Sequence, residues 1–135
     1  MADYGLAELS RSECVELLRG ASLGRIGVTV DSIPAVLPVW VVMIDDRLIF
    51  RTVPGTKLEM AAAGAVVALE VDDFDAQSRE GWSVLVRGLA AQLGDPAVIE
   101  QAKSTLIDTW IPEASAEHFV SITPDIVTGR RLHRR

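Results

Sequence analysis

A turn between a short apolar strand and a predicted helix carries the residues best suited to bind an anion. Residues 48–50 (Leu-Ile-Phe) are typical of a buried strand, and Val53-Pro54-Gly55 ends it. Thr56 and Glu59 have the spacing of a capping box, which predicts a helix that begins at Thr56. The first turn of a helix leaves backbone N–H groups unpaired, and the helix dipole adds positive charge there, so the position favours an anion.

Two cations, Arg51 and Lys57, flank this predicted helix start. Cations beside free amides at a strand-to-helix turn are typical of a phosphate site. The alternative is an ordinary capped helix with two solvated cations. Glu59 favours that alternative, because its carboxylate would repel a phosphate and compete for the same amides. The residues of the turn leave both interpretations open.

Composition predicts one folded domain over residues 1–135, with 49% hydrophobic and 24% charged residues. The mean hydropathy of +0.27 is high for a small chain and predicts that a partner covers some apolar surface. We expect a homodimer, since most oligomers have two-fold symmetry. The net charge of −6 argues against binding to nucleic acid or to an anionic membrane.

A single cysteine, Cys14, excludes an internal disulfide and a cysteine-based zinc site within one chain, and its neighbours predict a small buried hydrophobe. No stretch approaches the ~20 apolar residues of a membrane span. The first residues lack the basic and hydrophobic regions of a signal peptide. The chain is therefore expected to be cytoplasmic, without a membrane segment.

Hydrophobic periodicity and turn residues predict about seven strands and three helices. The predicted helices run from a cap at Ser10 to Leu18, over 56–63, and from Asp95-Pro96 to Trp110-Ile-Pro112. The predicted strands cover 25–30, 35–44, 48–50, 65–71, 82–93, 119–122 and 126–132, with an exposed loop over 72–81. Thr123-Pro124-Asp125 is predicted to join the last two strands as a closing hairpin. This order predicts a mainly β fold with inserted helices, a mostly antiparallel barrel.

The order of these elements and several motifs resemble the pyridoxamine 5′-phosphate oxidase-like family, the flavin-binding split barrels. The resemblance runs from Leu9 to Leu132. It is carried by Leu23-Gly-Arg-Ile-Gly27, Phe50-Arg-Thr-Val-Pro-Gly-Thr-Lys-Leu58, Glu70-Val-Asp72, Gly81-Trp-Ser-Val-Leu-Val-Arg-Gly88 and Thr128-Gly-Arg-Arg-Leu132.

The resemblance implies a homodimer that holds FMN in clefts between its two subunits. It implies that Thr52, Thr56 and Lys57 contact the flavin phosphate and ribityl end, with Arg51 beside them, and that Ser83 lies near the ring. The strand backbone that would run along the ring is that of Leu37, Pro38, Val39 and Trp40.

We predict an FMN-dependent oxidoreductase that acts on a small molecule, with no metal and no residue assigned as a catalytic acid or base. The alternatives are a reductase that uses the deazaflavin coenzyme and a dimeric module that binds or carries flavin without turnover. Oxidation of pyridoxamine phosphate is not expected, because authentic oxidases are longer and end in a segment with Arg and His. Arg25 and Arg87 are predicted partners of Glu70 or Asp72 in surface or interface ion pairs, and His118 and His133 are predicted to be solvated.

Overall fold

The computed structural model describes residues 3–106 and 118–135. In chain order the elements are β1 (Tyr4–Leu9), α1 (Arg11–Arg19), β2 (Leu23–Val30), β3 (Ile33–Ile44), β4 (Arg47–Thr52), α2 (Lys57–Ala62), β5 (Val66–Phe74), β6 (Gly81–Gln92), α3 (Pro96–Thr105), β7 (His118–Ile122) and β8 (Ile126–Arg134). The described residues thus form eight strands and three helices, one strand more than predicted.

Six of the strands close into an antiparallel barrel. Their order around the barrel is β2-β3-β4-β7-β6-β5, and the pairing of β6 with β7 closes the ring. Strand β8 pairs with β6 beyond the closed part, and β1 pairs with β8. The predicted mainly β split barrel is therefore confirmed.

Two tight turns fix the register of the barrel's first three strands. Asp31 and Ser32 join β2 to β3 with φ values of 51° and 66°, and Asp45 and Asp46 join β3 to β4 with 50° and 58°. Positive φ at both central residues matches the right-handed twist of paired strands, and aspartate tolerates this conformation better than most residues. The hairpin predicted at Asp31-Ser32 is confirmed.

The predicted closing hairpin between the last two strands is wrong. Strands β7 and β8 lie end to end along the same edge of β6, where β7 pairs with Ala90 to Gln92 and β8 with Gly81 to Arg87. The link between them crosses Gly88, and the carbonyl oxygen of Thr123 occupies the place where a Cβ of residue 88 would lie. A glycine at this position therefore lets one strand serve both the barrel and the outer sheet.

Two further predictions need correction. Strand β1 has no counterpart among the predicted strands, because Gly5 is its one buried residue and no apolar period results. The loop predicted over 72–81 is shorter, since Asp72, Asp73 and Phe74 pair with Ser83, Trp82 and Gly81. Both aspartates are exposed at the end of β5, so their charge does not disrupt the strand pairing.

Apolar side chains fill the barrel, and α3 covers part of its outside. Val98, Ala102 and Leu106 are buried, as their spacing predicts, and form a cluster with Trp40 and Ile49. The predicted end of this helix at Trp110-Ile-Pro112 lies outside the described residues. Across residues 3–106 and 118–135, none of the helices has the length and apolarity needed to span a membrane.

Candidate functional site

The turn before α2 has the capped geometry that its sequence predicts. Gly55 has a φ of 77°, and Thr56 is the N-cap residue, whose Oγ1 accepts the Glu59 backbone N–H at 3.3 Å. The same hydroxyl donates to the Val53 carbonyl at 2.8 Å. The Thr56 side chain is therefore committed to the turn itself, which it holds closed.

Glu59 occupies the amide that an anion would otherwise take. One carboxylate oxygen accepts the Gly55 N–H at 3.1 Å, while the Thr56 N–H donates to Val53 instead. The other oxygen accepts the Thr52 hydroxyl at 2.8 Å and lies 2.8 Å from Nδ1 of His118. The competition for backbone amides expected of Glu59 is thus observed. The Gly55 and Thr56 amides are therefore both paired within the turn and are not open to an anion.

The prediction that His118 is simply solvated is wrong, because its side chain is 38% exposed but is held by a carboxylate. It stands at the start of β7 and contacts Glu59, which lies 59 residues earlier in the chain. A contact between residues this far apart leaves no local pattern in the sequence. The pair joins the start of α2 to the barrel strand β7.

The network around Glu59 makes a prediction about stability. Burial raises the pKa of the Glu59 carboxyl, but hydrogen bonds from the Gly55 amide, the Thr52 hydroxyl and His118 outweigh burial and leave the pKa below its ordinary value. A pKa lower in the folded than in the unfolded chain stabilises the fold above about pH 4.3, and this stabilisation is lost as the pH falls through the folded pKa. Glu59→Gln is expected to reduce the free energy of unfolding at neutral pH by about 1–2 kcal/mol, with the difference shrinking below about pH 4.

Urea unfolding at a series of pH values measures this difference. Glu16→Gln is the matched control, because the Glu16 side chain is 78% exposed in a surface pair with Arg19. It should have little effect at any pH. A Glu59→Gln deficit that stays constant from neutral to acidic pH would contradict the assignment.

The structure separates the cations and threonines predicted at this site. Lys57 is exposed, and its Nζ lies 3.0 Å from Oδ2 of Asp31 in the β2–β3 turn. Arg51 points the other way, donating to the Leu106 carbonyl at 3.4 Å. Thr52 is 1% exposed and supports Glu59. Of this group, Lys57 is the residue whose charge faces an open depression, one of about 340 Å³ that Thr29, Asp31 and Met60 also line.

The four predicted β3 residues alternate between two sides of the strand. Leu37 and Val39 pack into the barrel interior, and Trp40 packs against the cluster beneath α3. Pro38 is exposed on the outside of the barrel, where it pairs in register with Arg25. Pro38 is therefore the member of this group whose side chain an external ligand can meet.

Pro38 and Ser83 belong to one surface that α3 does not cover, called here the outer face. It consists of the outward-pointing residues of β3, β2, β5, β6 and β8. They are Pro34, Val36, Pro38, Arg25, Gly27, Thr29, Val66, Ala68, Glu70, Asp72, Ser83, Leu85, Arg87, Leu89, Ile126, Thr128 and Arg130. Val36 and Val66 are 70% and 75% exposed, so the face is unusually apolar for a solvated sheet.

Four adjacent depressions cross the outer face from Lys57 to Ser83, and together they are called here the groove. Four depressions of about 340, 330, 320 and 310 Å³ follow one another, and each shares lining residues with the next. The shared residues are Thr29, then Gly27, Val36 and Ala68, then Glu70 and Asp72. Ser83 pairs with Asp72, two residues beyond the pair of Glu70 with Arg25, so it lies about 20 Å along the sheet from Thr29 at ~3.3 Å per residue.

An acidic pair, Glu70 and Asp72, lines this groove and is predicted from sequence only as part of surface or interface ion pairs. Nη1 of Arg25 donates to Asp72 Oδ2 at 3.2 Å and lies 3.5 Å from Oε1 of Glu70. That Glu70 oxygen is buried and accepts no hydrogen bond from the described residues. Burial, and then the neighbouring Asp72 carboxylate, raise the pKa of Glu70 to about 7. The alternation Glu70-Val-Asp72, with both carboxylates on one face of a strand, is the signal that locates the pair in the sequence.

One of the two predicted partners of this acidic pair, Arg25, is confirmed. Arg25 binds both carboxylates, whereas no ion pair or hydrogen bond of the Arg87 side chain is found within residues 3–106 and 118–135.

Cys14 is buried as predicted, and burial raises the pKa of its thiol, which disfavours the nucleophilic thiolate. In the part of the chain that the structure covers, no cluster of three or more His, Cys, Asp or Glu side chains is arranged to hold a metal ion.

Known proteins resemble this chain over most of its length. The uncharacterized protein Rv0080 of Mycobacterium tuberculosis is 39% identical over 132 residues, which cover 94% of this chain and 86% of that protein. The FAD binding protein from Mycobacterium smegmatis is 38% identical, with a TM-score of 0.77 over 93% of this chain and 98% of the other. A FAD-binding protein from Mesorhizobium loti is 28% identical, with a TM-score of 0.76 over 93% and 97%.

The family model described as pyridoxamine 5′-phosphate oxidase matches residues 10–131. This span takes in every element from α1 to β7 and most of β8, including the whole barrel. With the closed six-stranded ring and the motifs quoted above, it means that the chain belongs to the pyridoxamine 5′-phosphate oxidase-like family.

Proposed function

We propose that the chain binds a flavin nucleotide on its outer face, between two copies of itself, and uses it to oxidise or reduce a small molecule. The observation that carries this proposal is that the outer face has a depression at each end, one lined by Lys57, at the predicted phosphate end, and one by Ser83, at the predicted ring end. Membership of the family and the FAD named for two relatives support it. When bound, the flavin supplies the hydride or electron transfer, while the protein supplies grip, shape and exclusion of water.

The residues at the two ends of the groove suit the two ends of such a cofactor. At the ring end, Leu6, Phe74 and Leu132 give flat apolar walls beside the Ser83 hydroxyl. That mixture of apolar cover and few polar groups is typical of cofactor sites. At the other end, Lys57 and the Thr29 hydroxyl line the depression where a phosphate would lie.

The FAD named for two relatives favours FAD over the FMN predicted from sequence, whereas the charges near Lys57 do not distinguish the two. Asp31 pairs with Lys57, and Glu59 adds a second carboxylate at the start of the same helix. A terminal phosphate such as that of FMN carries about −1.5 to −2 charges at neutral pH. The two phosphates of FAD, joined by an anhydride bond, carry about one charge each, so FAD and FMN bring a similar total charge to this site. FMN is the second candidate.

A homodimer explains why the predicted ends are so far apart. In a two-fold dimer the same patch meets itself with its direction reversed, so the Lys57 end of one copy faces the Ser83 end of the other. Each cofactor would then be held by both copies, in two equivalent clefts. The exposed apolar residues of the outer face, Val36 and Val66 among them, support such a contact.

Release of the bound cofactor from protein purified from its native host, followed by mass measurement, tests the proposal. FAD or FMN in near-stoichiometric amount is the expected result, with the visible absorbance band of a flavin. Recovery of the deazaflavin coenzyme, or of no cofactor from a protein that does not take up added flavin, would overturn it. Anaerobic bleaching by a nicotinamide donor, with reoxidation by a substrate, distinguishes an enzyme from a flavin carrier.

A further inference from the structure

The charged residues of the outer face are unevenly paired. Arg25 is the one cation within ion-pair distance of Glu70 and Asp72 among the described residues, and its hydrogen bond goes to Asp72. Glu70 keeps one buried oxygen without a hydrogen bond. Arg87 is exposed one strand away, and no partner for its guanidinium is found in residues 3–106 or 118–135. On the same surface, one carboxylate thus shares a single cation with Asp72, and one cation has no acceptor among the described residues.

Residues that are in register across neighbouring strands form rows across the sheet. Glu70 and Arg87 lie in adjacent rows. Arg87 is in register with Ala68, Gly27 and Val36, and Glu70 is in register with Leu85 and Arg25. On one side, the Glu70 row is next to the row of Ser83. On the other side, the Arg87 row is next to the row of Val66 and Leu89, which lies beside Thr29 and the depression that Lys57 lines. The four rows therefore run in the order Ser83, Glu70, Arg87, Val66.

A two-fold rotation that places the Ser83 row of one copy on the Val66 row of the other reverses this order. The same rotation necessarily places the Glu70 row on the Arg87 row. Gly27 and Ala68 carry little or no side chain in the Arg87 row, so the partner's backbone can approach closely there. The long arginine side chain then reaches the carboxylate in the facing row.

We propose that two copies of the chain meet through the outer face, with Arg87 of each copy bound to Glu70 of the other. The proposal rests on the dimer placement in the proposed function and adds the residues that determine its register. The second copy is the partner of choice because this surface is self-complementary. It carries both a partly exposed carboxylate that shares its cation and an exposed arginine without an acceptor in the described part of the chain, within an apolar surround of Val36, Val66, Leu89 and Ile126.

Reciprocal charge reversal tests the pairing. Arg87→Glu and Glu70→Arg each put like charges opposite one another twice per dimer, and each is expected to raise the dimer dissociation constant at least ~100-fold. An equimolar mixture of the two variants is expected to form heterodimers, in which both contacts are again of opposite sign. Native mass spectrometry resolves the heterodimer, because the variants differ in mass.

The double variant and two controls make the result specific. Arg87→Glu combined with Glu70→Arg should dimerise as the parent does, and Lys103→Glu, the same charge change on exposed α3, should leave dimerisation unchanged. Arg87→Met and Glu70→Gln keep the side-chain size and remove only the charge, so a weaker loss of dimer is expected from them if the reversals fail to fold.

Three results would overturn the proposal. Rescue in the double variant without heterodimers in the mixture means that the pair forms within one chain. Single variants that dimerise like the parent mean that the pair does not hold the interface. A parent protein that stays monomeric at high concentration removes the interface itself. Flavin content is measured on every sample, so that failure to bind a cofactor is recorded separately from failure to dimerise.

Discussion

Lys57→Ala is expected to weaken flavin binding by about 10- to 100-fold. Lys57 is the cation that faces the depression beside α2, and a hydrogen bond to a charged group is worth about 1.5–3 kcal/mol. Its side chain is 76% exposed, so solvent screening places the effect toward the lower end of that range. Titration of cofactor-free protein with FAD and with FMN, followed by flavin fluorescence, measures the change.

Asp31→Asn should act in the opposite direction and tighten flavin binding. It removes the carboxylate 3.0 Å from Lys57 Nζ, and asparagine tolerates the φ of 51° at that turn position. Lys103→Ala, on α3 and away from the outer face, is the neutral control for loss of a surface lysine. If Lys57→Ala and Lys103→Ala bind flavin equally well, the phosphate does not lie beside α2.

Gly88→Ala is expected to destabilise the fold by about 3 kcal/mol or more. The Thr123 carbonyl oxygen fills the place of the added methyl, and Asp125 Oδ2 lies 3.1 Å from it. Room for alanine requires the 123–125 link to move, which breaks the bonds between Thr123 N–H and Leu89 O and between Leu89 N–H and Asp125. Overpacking of this kind costs ~1–3 kcal/mol before such bonds are lost.

Thermal unfolding at fixed protein concentration checks the effect, with an expected drop of roughly 10 °C in Tm. Gly94→Ala is the matched control, because no atom lies within 4 Å of the place that its added methyl would take and its φ is not in the left-handed region. It should change stability by no more than about 0.5 kcal/mol. Equal effects of the two substitutions would show that the crossing over Gly88 is not tightly packed.

Local features of the fold were predictable because local chemistry determines them. The turn at Asp31-Ser32, the cap at Thr56 and the stripe of α3 each depend on residues within a few positions of one another. The path after β7 was not predictable in this way. Thr123-Pro124-Asp125 has the composition of a reversing turn, yet its course is decided by Gly88, 35 residues earlier, which leaves room for the chain to continue straight along β6.

In the candidate site, too, the features that depend on neighbouring residues were predictable and those that depend on distant strands were not. Lys57 and the competition from Glu59 follow from one short motif, and both are seen in the structure. The buried acceptor on Glu70 and the contact of His118 with Glu59 depend on packing between distant strands, so no single stretch indicates them. Strand alternation predicts that Pro38 and Val39 lie on opposite sides of β3. Which of the outward-facing residues is open to a ligand depends on the position of α3, which the sequence pattern does not give.

The closure of the barrel by β7 has a consequence for how the protein forms in the cell. Strands β2 to β6 leave the ribosome first, but the ring cannot close until β7 follows. Until then β4 and the far end of β6 each present a row of unpaired backbone groups, which are templates for pairing with another nascent chain. These two edges therefore stay unpaired throughout synthesis of the stretch between α3 and β7.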